Sequence, residues 1–93
     1  MIAIEIRAPG GPEVLVPVER ATPLPGRGEV LIKVAAAGVN RPDVFQRLGR
    51  YAPPPGVSDI PGLEVAGTVE QVAQGVTEWR AGNPVCALVA GGG

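Results

Sequence analysis

The side chains able to do chemistry are few: Asn40, Arg41, Asp43, Tyr51 and Glu64 in the middle of the chain, and one thiol, Cys86, near its end. Asn40 offers a neutral amide that can donate to a carbonyl oxygen. In front of Arg41-Pro42-Asp43 it is equally suited to capping a helix. Arg41 opposes the field of a helix N-terminus, which favours acids; it is either solvated or meets an anion such as a pyrophosphate. Asp43 has the right sign for a first helical turn. Tyr51, in a loop expected to be exposed, can donate its hydroxyl to an oxygen that gains charge during a reduction, or can simply anchor the surface. Glu64 stands among apolar residues and is expected in an ion pair with an arginine. Cys86 lies in an apolar strand and reads as an inert core thiol.

Several chemistries lack their parts. There is no His, so no Ser/His/Asp set can form, and a zinc site would depend on one Cys and scattered carboxylates. One Cys makes no internal disulfide. No glycine-rich loop lies between a strand and a helix, and Gly91-Gly92-Gly93 has no helix to open. No metal is therefore expected.

The 93 residues carry a formal net charge of −1, with eight basic and nine acidic side chains. No charge run is present to attract nucleic acid or an anionic membrane. The start of the chain alternates instead of forming an apolar signal core. No run reaches the ~18 apolar residues of a membrane helix. A cytoplasmic location is the expectation. The length suits one small domain of marginal stability.

The elements that must position these residues are short. The 14 Gly and 11 Pro divide the chain in the manner of a mainly β fold. Strands are predicted over Met1–Arg7, Val14–Glu19, Glu29–Ala37, Leu63–Ala73 and Val85–Val89. The third ends apolar on both faces, which predicts burial. One short helix follows Asn40, with Val44, Phe45 and Leu48 as its buried stripe and Gly49 as its stop. Pro53-Pro54-Pro55 favours an extended loop. Gly67, inside a strand, predicts a bulge or a close backbone approach. Trp79 is expected to cover one barrel end.

Taken in order, Pro9-Gly10-Gly11-Pro12-Glu13-Val14-Leu15, Gly28-Glu29-Val30-Leu31-Ile32-Lys33-Val34, Val39-Asn40-Arg41-Pro42-Asp43, Gly49-Arg50-Tyr51-Ala52-Pro53-Pro54-Pro55-Gly56 and Pro61-Gly62-Leu63-Glu64-Val65-Ala66-Gly67 span most of the chain. Together they resemble the N-terminal GroES-like domain of a zinc-free quinone oxidoreductase of the medium-chain dehydrogenase/reductase superfamily. The branch they are most similar to is that of the tumour-suppressor-inducible quinone oxidoreductase. The resemblance implies an incomplete GroES-like barrel over residues 1–93, the first part of a two-domain enzyme whose Rossmann cofactor domain lies outside this chain.

It also implies roles. Asn40 takes the place of a zinc-ligating Cys and Leu63 that of a zinc-ligating His. Asn40 and Tyr51 become the catalytic donors, Asn40 and Arg41 the cofactor contacts, and Tyr51, Phe45 and Leu63 the substrate wall. Pro42 replaces a hydroxyl residue that relays the alcohol proton, which counts against alcohol oxidation. Asn83 stands where the family usually has Asp, and Ala73 where it usually has Gly. The implied cofactor is NADPH, with NADH as the other possibility. The implied substrate is a small quinone or enone, the complete enzyme is expected to be a homo-oligomer, and this chain alone is expected to be inactive. Two other readings stay open: a free-standing β-barrel binding or assembly module, and an enoyl reductase of another medium-chain branch.

Overall fold

A computed structural model describes residues 1–93 as five strands, one α-helix and one 3-10 turn. Strands β1 (Ile2–Ile6) and β2 (Leu15–Glu19) form an antiparallel hairpin, with Ile2 opposite Glu19 and Ile6 opposite Leu15. Val14, expected to begin the second strand, instead closes the 3-10 turn Pro12–Val14 and is buried there. Strands β3 (Val30–Ala37), β4 (Glu64–Val72) and β5 (Pro84–Leu88) form a second antiparallel sheet in the order β3-β4-β5. Helix α1 (Arg41–Arg47) leads away from β3 and ends at Gly49, whose φ of 78° is the left-handed turn expected of a helix stop. The expectation of a mainly β chain with one short helix agrees with this architecture.

The β3–β4 pairing departs from a straight ladder twice. Leu31 lies opposite Gln71 and Ile32 opposite Val69, so Glu70 is skipped. Val34 lies opposite Gly67 and Ala36 opposite Ala66, so Ala35 is skipped. Gly67 sits beside the second irregularity, where a Cβ would collide with the Lys33 carbonyl. The close approach predicted for this glycine is therefore real, and its cause is the bulge.

Burial is sparse. Five residues are buried, among them Val14, Ile60, Val65 and Val69. Val69 is the most enclosed, at 2% exposure, and burying it contributes about 2 kcal/mol. Alternation places Val65 and Val69 on the inner face of β4, with Ala66, Thr68 and Glu70 exposed on the other.

Several expected core residues lie outside this core. No residue of α1 is buried, and Phe45 and Leu48 are 40% and 38% exposed. Helix α1 has an apolar stripe, of which Val44 is half-buried and borders the hairpin residues Ile4 and Leu15, while Phe45 and Leu48 stay open. The end of β3, from Lys33 to Ala37, is exposed, because its outer face has no covering layer. Trp79 is 47% exposed beside a turn and covers no barrel end. Cys86 is exposed, since it shares the outer face of β5 with Pro84 and Leu88.

The shape follows from this. The radius of gyration is 13.9 Å, against about 12 Å for a compact domain of this length. There are 39 backbone–backbone hydrogen bonds, where roughly 60 is usual. Both edges of each sheet are open, and open edges invite pairing with another chain. The weight-average mass of the 93-residue chain is expected to rise with concentration in analytical ultracentrifugation. A concentration-independent monomer with a cooperative melt would contradict this.

One polar tripod ties the hairpin to the loop before β4. The Arg20 guanidinium donates to both carboxylate oxygens of Asp59, at 2.9 and 3.0 Å, and to Glu5 Oε2 at 3.0 Å. Hydrogen bonding to Arg20 holds the Asp59 carboxyl below its ordinary value, and the guanidinium is raised in turn. The groups are partly open to water, so the effect on stability is small. A depressed carboxyl stabilises the fold above its unfolded pKa and loses that effect as pH falls through the folded one. Asp59→Asn is therefore expected to lower Tm slightly at pH 7. The difference from wild type should close below about pH 4. Thermal melts across that range check it.

Candidate functional site

Asn40 joins β3 to α1. Its backbone is extended, at φ −129° and ψ 162°, so the helix begins at Arg41 and Pro42 falls in the first turn, where no N–H is needed. Asp43 supplies one half of a capping box, and the Asn40 side chain makes no cap hydrogen bond of its own. Asp43 Oδ2 accepts the Asn40 N–H at 2.9 Å, while the Asp43 N–H donates to the Asn40 carbonyl at 3.0 Å. The second oxygen of Asp43, Oδ1, accepts the Gly62 N–H at 3.1 Å. One carboxylate thus fastens the helix start to the segment entering β4.

Two residues past Gly62, Glu64 reaches back. Its Oε1 accepts from the Asn40 side-chain Nδ2 at 3.1 Å. Its backbone carbonyl accepts the Gly38 N–H at 3.2 Å. The result is a closed ring through Asn40, Asp43, Gly62 and Glu64. The ion pair expected between Glu64 and an arginine is not formed: the three ion pairs of the chain involve Arg20 and the N-terminus. Half-buried Glu64 meets a neutral amide instead. Gly38 makes room for this, because a Cβ there would overlap the Glu64 carboxylate.

The other predicted site residues are more dispersed. Arg41 is exposed and forms no ion pair, with its guanidinium carbon 6.0 Å from the centre of the Phe45 ring, a weak cation–π contact. Leu63 is half-buried, and its carbonyl accepts the Val89 N–H at 2.8 Å. Tyr51 is half-buried in the loop after α1, where an exposed loop was expected, and no hydrogen bond joins it to Asn40. Structure therefore groups Asn40 with Glu64 and Arg41 with Phe45, and no side-chain hydrogen bond joins Tyr51 to them.

Two hollows adjoin the ring. The smaller, about 230 Å³, lies between the hairpin and α1, with Ile4, Leu15, Val39, Asp43 and Val44 in its wall. The larger, about 530 Å³, is an open apolar trough across β3, β4 and β5 lined by Ala36, Glu64, Ala66, Cys86 and Leu88. Gly38 borders both. Asn40, Arg41, Phe45, Tyr51 and Leu63 line neither.

The donor set does not fit a metal ion: no three of the Cys, Asp and Glu side chains gather in one place, and there is no His. Toward a nicotinamide dinucleotide the fit is better, since the exposed guanidinium of Arg41 is unclaimed by any carboxylate and can meet an anion. Sequence reasoning missed the Asn40–Glu64 bond, the double duty of Asp43 and the role of Gly38. The available signal was Gly38 two residues before Asn40, matched by Gly62 two residues before Glu64. Asn83, the departure from the usual Asp, serves its turn well: its side-chain oxygen accepts the Arg80 N–H at 2.8 Å.

Comparison with known proteins agrees with this architecture. Residues 26–92 match the alcohol dehydrogenase GroES-like domain. A quinone oxidoreductase of Lama guanicoe is 43% identical over 86 residues, which is 91% of this chain and 26% of that protein. A mycobacterial protein solved in complex with NADPH superposes with a TM-score of 0.80 at 42% identity, over 96% of this chain and 28% of the other. A cobalt- and zinc-bound thermostable alcohol dehydrogenase from Pyrobaculum aerophilum superposes at 0.78 with 46% identity, over 92% of this chain and 26% of the other. The chain belongs to the alcohol dehydrogenase GroES-like domain family, and its relatives include quinone oxidoreductases of which it spans about a quarter.

Gly38→Ala tests the ring. The Glu64 side chain can swing aside, so the expected cost is the lost hydrogen bond, about 1–2 kcal/mol, and not an overpacked core. Urea unfolding measures it. A melt identical to wild type would show that the Asn40–Glu64 bond contributes nothing.

Proposed function

We propose that this chain is the substrate-side domain of a zinc-independent, nicotinamide-dependent quinone oxidoreductase of the branch named above, located in the cytoplasm and oligomeric when complete. The observation that carries the reading is the chemistry at two positions. Where a zinc alcohol dehydrogenase of this family carries Cys and His, this chain has Asn40 and Leu63. Asn is a poor zinc ligand and Leu is none, while an amide is a good donor to a carbonyl oxygen.

The bound cofactor, NADPH or NADH, supplies the hydride. The protein's share is orientation and charge stabilisation. The Asn40 amide has one N–H beyond that given to Glu64, and this N–H is assigned to the quinone or enone oxygen as it becomes negative. The Tyr51 hydroxyl is a second donor. Arg41 offers positive charge to the cofactor pyrophosphate, and Phe45 and Leu63 supply apolar surface to the ring being reduced. With about a quarter of its relatives' length, the chain alone is assigned no activity.

A chimera in which residues 1–93 replace the matching quarter of the Lama guanicoe relative tests this. It is expected to reduce a soluble quinone with NADPH or NADH, and to be indifferent to chelators. Asn40→Ala is expected to lower kcat about 10²–10³-fold, the usual loss for one oxyanion donor. Activity that depends on added zinc, or that survives Asn40→Ala, would overturn the assignment. Preference for an enone would favour an enoyl reductase instead.

A further inference from the structure

The amide of an asparagine can present either end to a ligand, and its rotation about the last side-chain bond normally leaves both available. In this chain it does not. An ionised carboxylate only accepts hydrogen bonds. Glu64 Oε1 stands 3.1 Å from Asn40 Nδ2, so only the N–H end of the amide can face it. The flipped amide would set its oxygen against a carboxylate oxygen, two acceptors with no proton between them. We infer that Glu64 is the positioning residue of the site: its carboxylate fixes the polarity of the Asn40 amide, so that the second N–H and the amide oxygen each keep one assigned direction.

Three features hold Glu64 to this task. Gly38 has no side chain, and the carboxylate occupies the space a Cβ would take. The Gly38 N–H and the Glu64 carbonyl are joined at 3.2 Å, which fixes the two backbones. Asp43 clamps the Asn40 and Gly62 N–H groups at 2.9 and 3.1 Å, which fixes the segments on either side. Asp43 at the start of α1 shares Asn40 with Glu64 as a partner, and Cys86 of β5 lines the same trough as Glu64. Neither is a cation, and no arginine competes with the amide for the carboxylate. The N–H left over on Asn40 suits a ligand that accepts a hydrogen bond, as a carbonyl oxygen does. The functional part of the inference rests on the reading of Asn40 given under Proposed function, whereas the polarity of the amide does not.

The experiment is a pH titration by ¹⁵N–¹H NMR of the 93-residue chain, following the Asn40 side-chain NH₂ pair. In the wild type, the two Asn40 protons are expected to be widely split, and to shift together as Glu64 is protonated in acid. In Glu64→Gln, which keeps the shape, that titration should vanish, while the Gly62 N–H continues to follow Asp43. A wild-type Asn40 pair that does not titrate, or one that still titrates in Glu64→Gln, overturns the inference. Asn40→Asp gives a second reading that does not require Glu64 to be altered. It sets two carboxylates together, and one of them should then titrate well above the ordinary range; two ordinary titrations would again overturn it. In the chimera, loss of the effect of Asn40→Ala with the NMR coupling intact would remove the proposed reaction and leave the positioning in place.

Discussion

The Asp43 carboxylate is the constraint on which the site depends. It accepts one N–H from its own helix start and one from Gly62, nineteen residues further along. Each of those N–H groups would otherwise be a donor without a partner, one at a helix N-terminus and the other at a strand entry. A single acid meets both needs, and in doing so sets the distance between the α1 start and β4. Asn40 and Glu64 then fall within hydrogen-bonding reach. This matters in a chain with so small a core: polar contacts fix the geometry of the site beside the few buried residues, Ile60 and Val65 among them.

The exposed apolar surface has the same origin. Phe45, Leu48, Val34 and Leu88 are all substantially open, and the trough across the three-stranded sheet is apolar but uncovered. Each element has a good amphipathic pattern, so the sequence prepares surfaces for burial that these 93 residues do not themselves bury. The chain spans about a quarter of the relatives it matches, in agreement with that imbalance.

Local features were legible in the sequence because local physics decides them. The strand alternations, the Asn40-Arg41-Pro42-Asp43 helix start and the Gly49 stop each follow from a few neighbouring residues. Gly67 was legible as a close approach because few other causes place glycine inside a strand. What could not be read was the choice of partner. Glu64 among apolar residues suggested an arginine, yet the nearest group is an amide 24 positions away in sequence. Cys86 looked like core because its strand is apolar on both faces, and periodicity does not say which face finds a covering layer. Arg20 gave no local signal for its two carboxylates, one in the hairpin and the other in a loop 39 residues on. Tyr51, Phe45 and Leu63 were assigned by resemblance, and none of them lines either hollow beside the ring.

The two irregularities of the β3–β4 pair have one more consequence. The extra residue at the first, Glu70, is on β4, and that at the second, Ala35, is on β3. Their offsets are opposite and equal, so only the middle rungs of the ladder are displaced and both ends keep the same phase. The far end, where Val30 meets Val72, and the near end, where Ala37 meets Val65 beside Gly38 and Glu64, behave as parts of one straight strand pair. Removing either extra residue alone would shift one end by a single position, turning Glu64 or Val72 toward the opposite face. Removing both would leave the pairing in frame. The orientation of Glu64 toward Asn40 thus rests on a matched pair of insertions as well as on the identity of either residue.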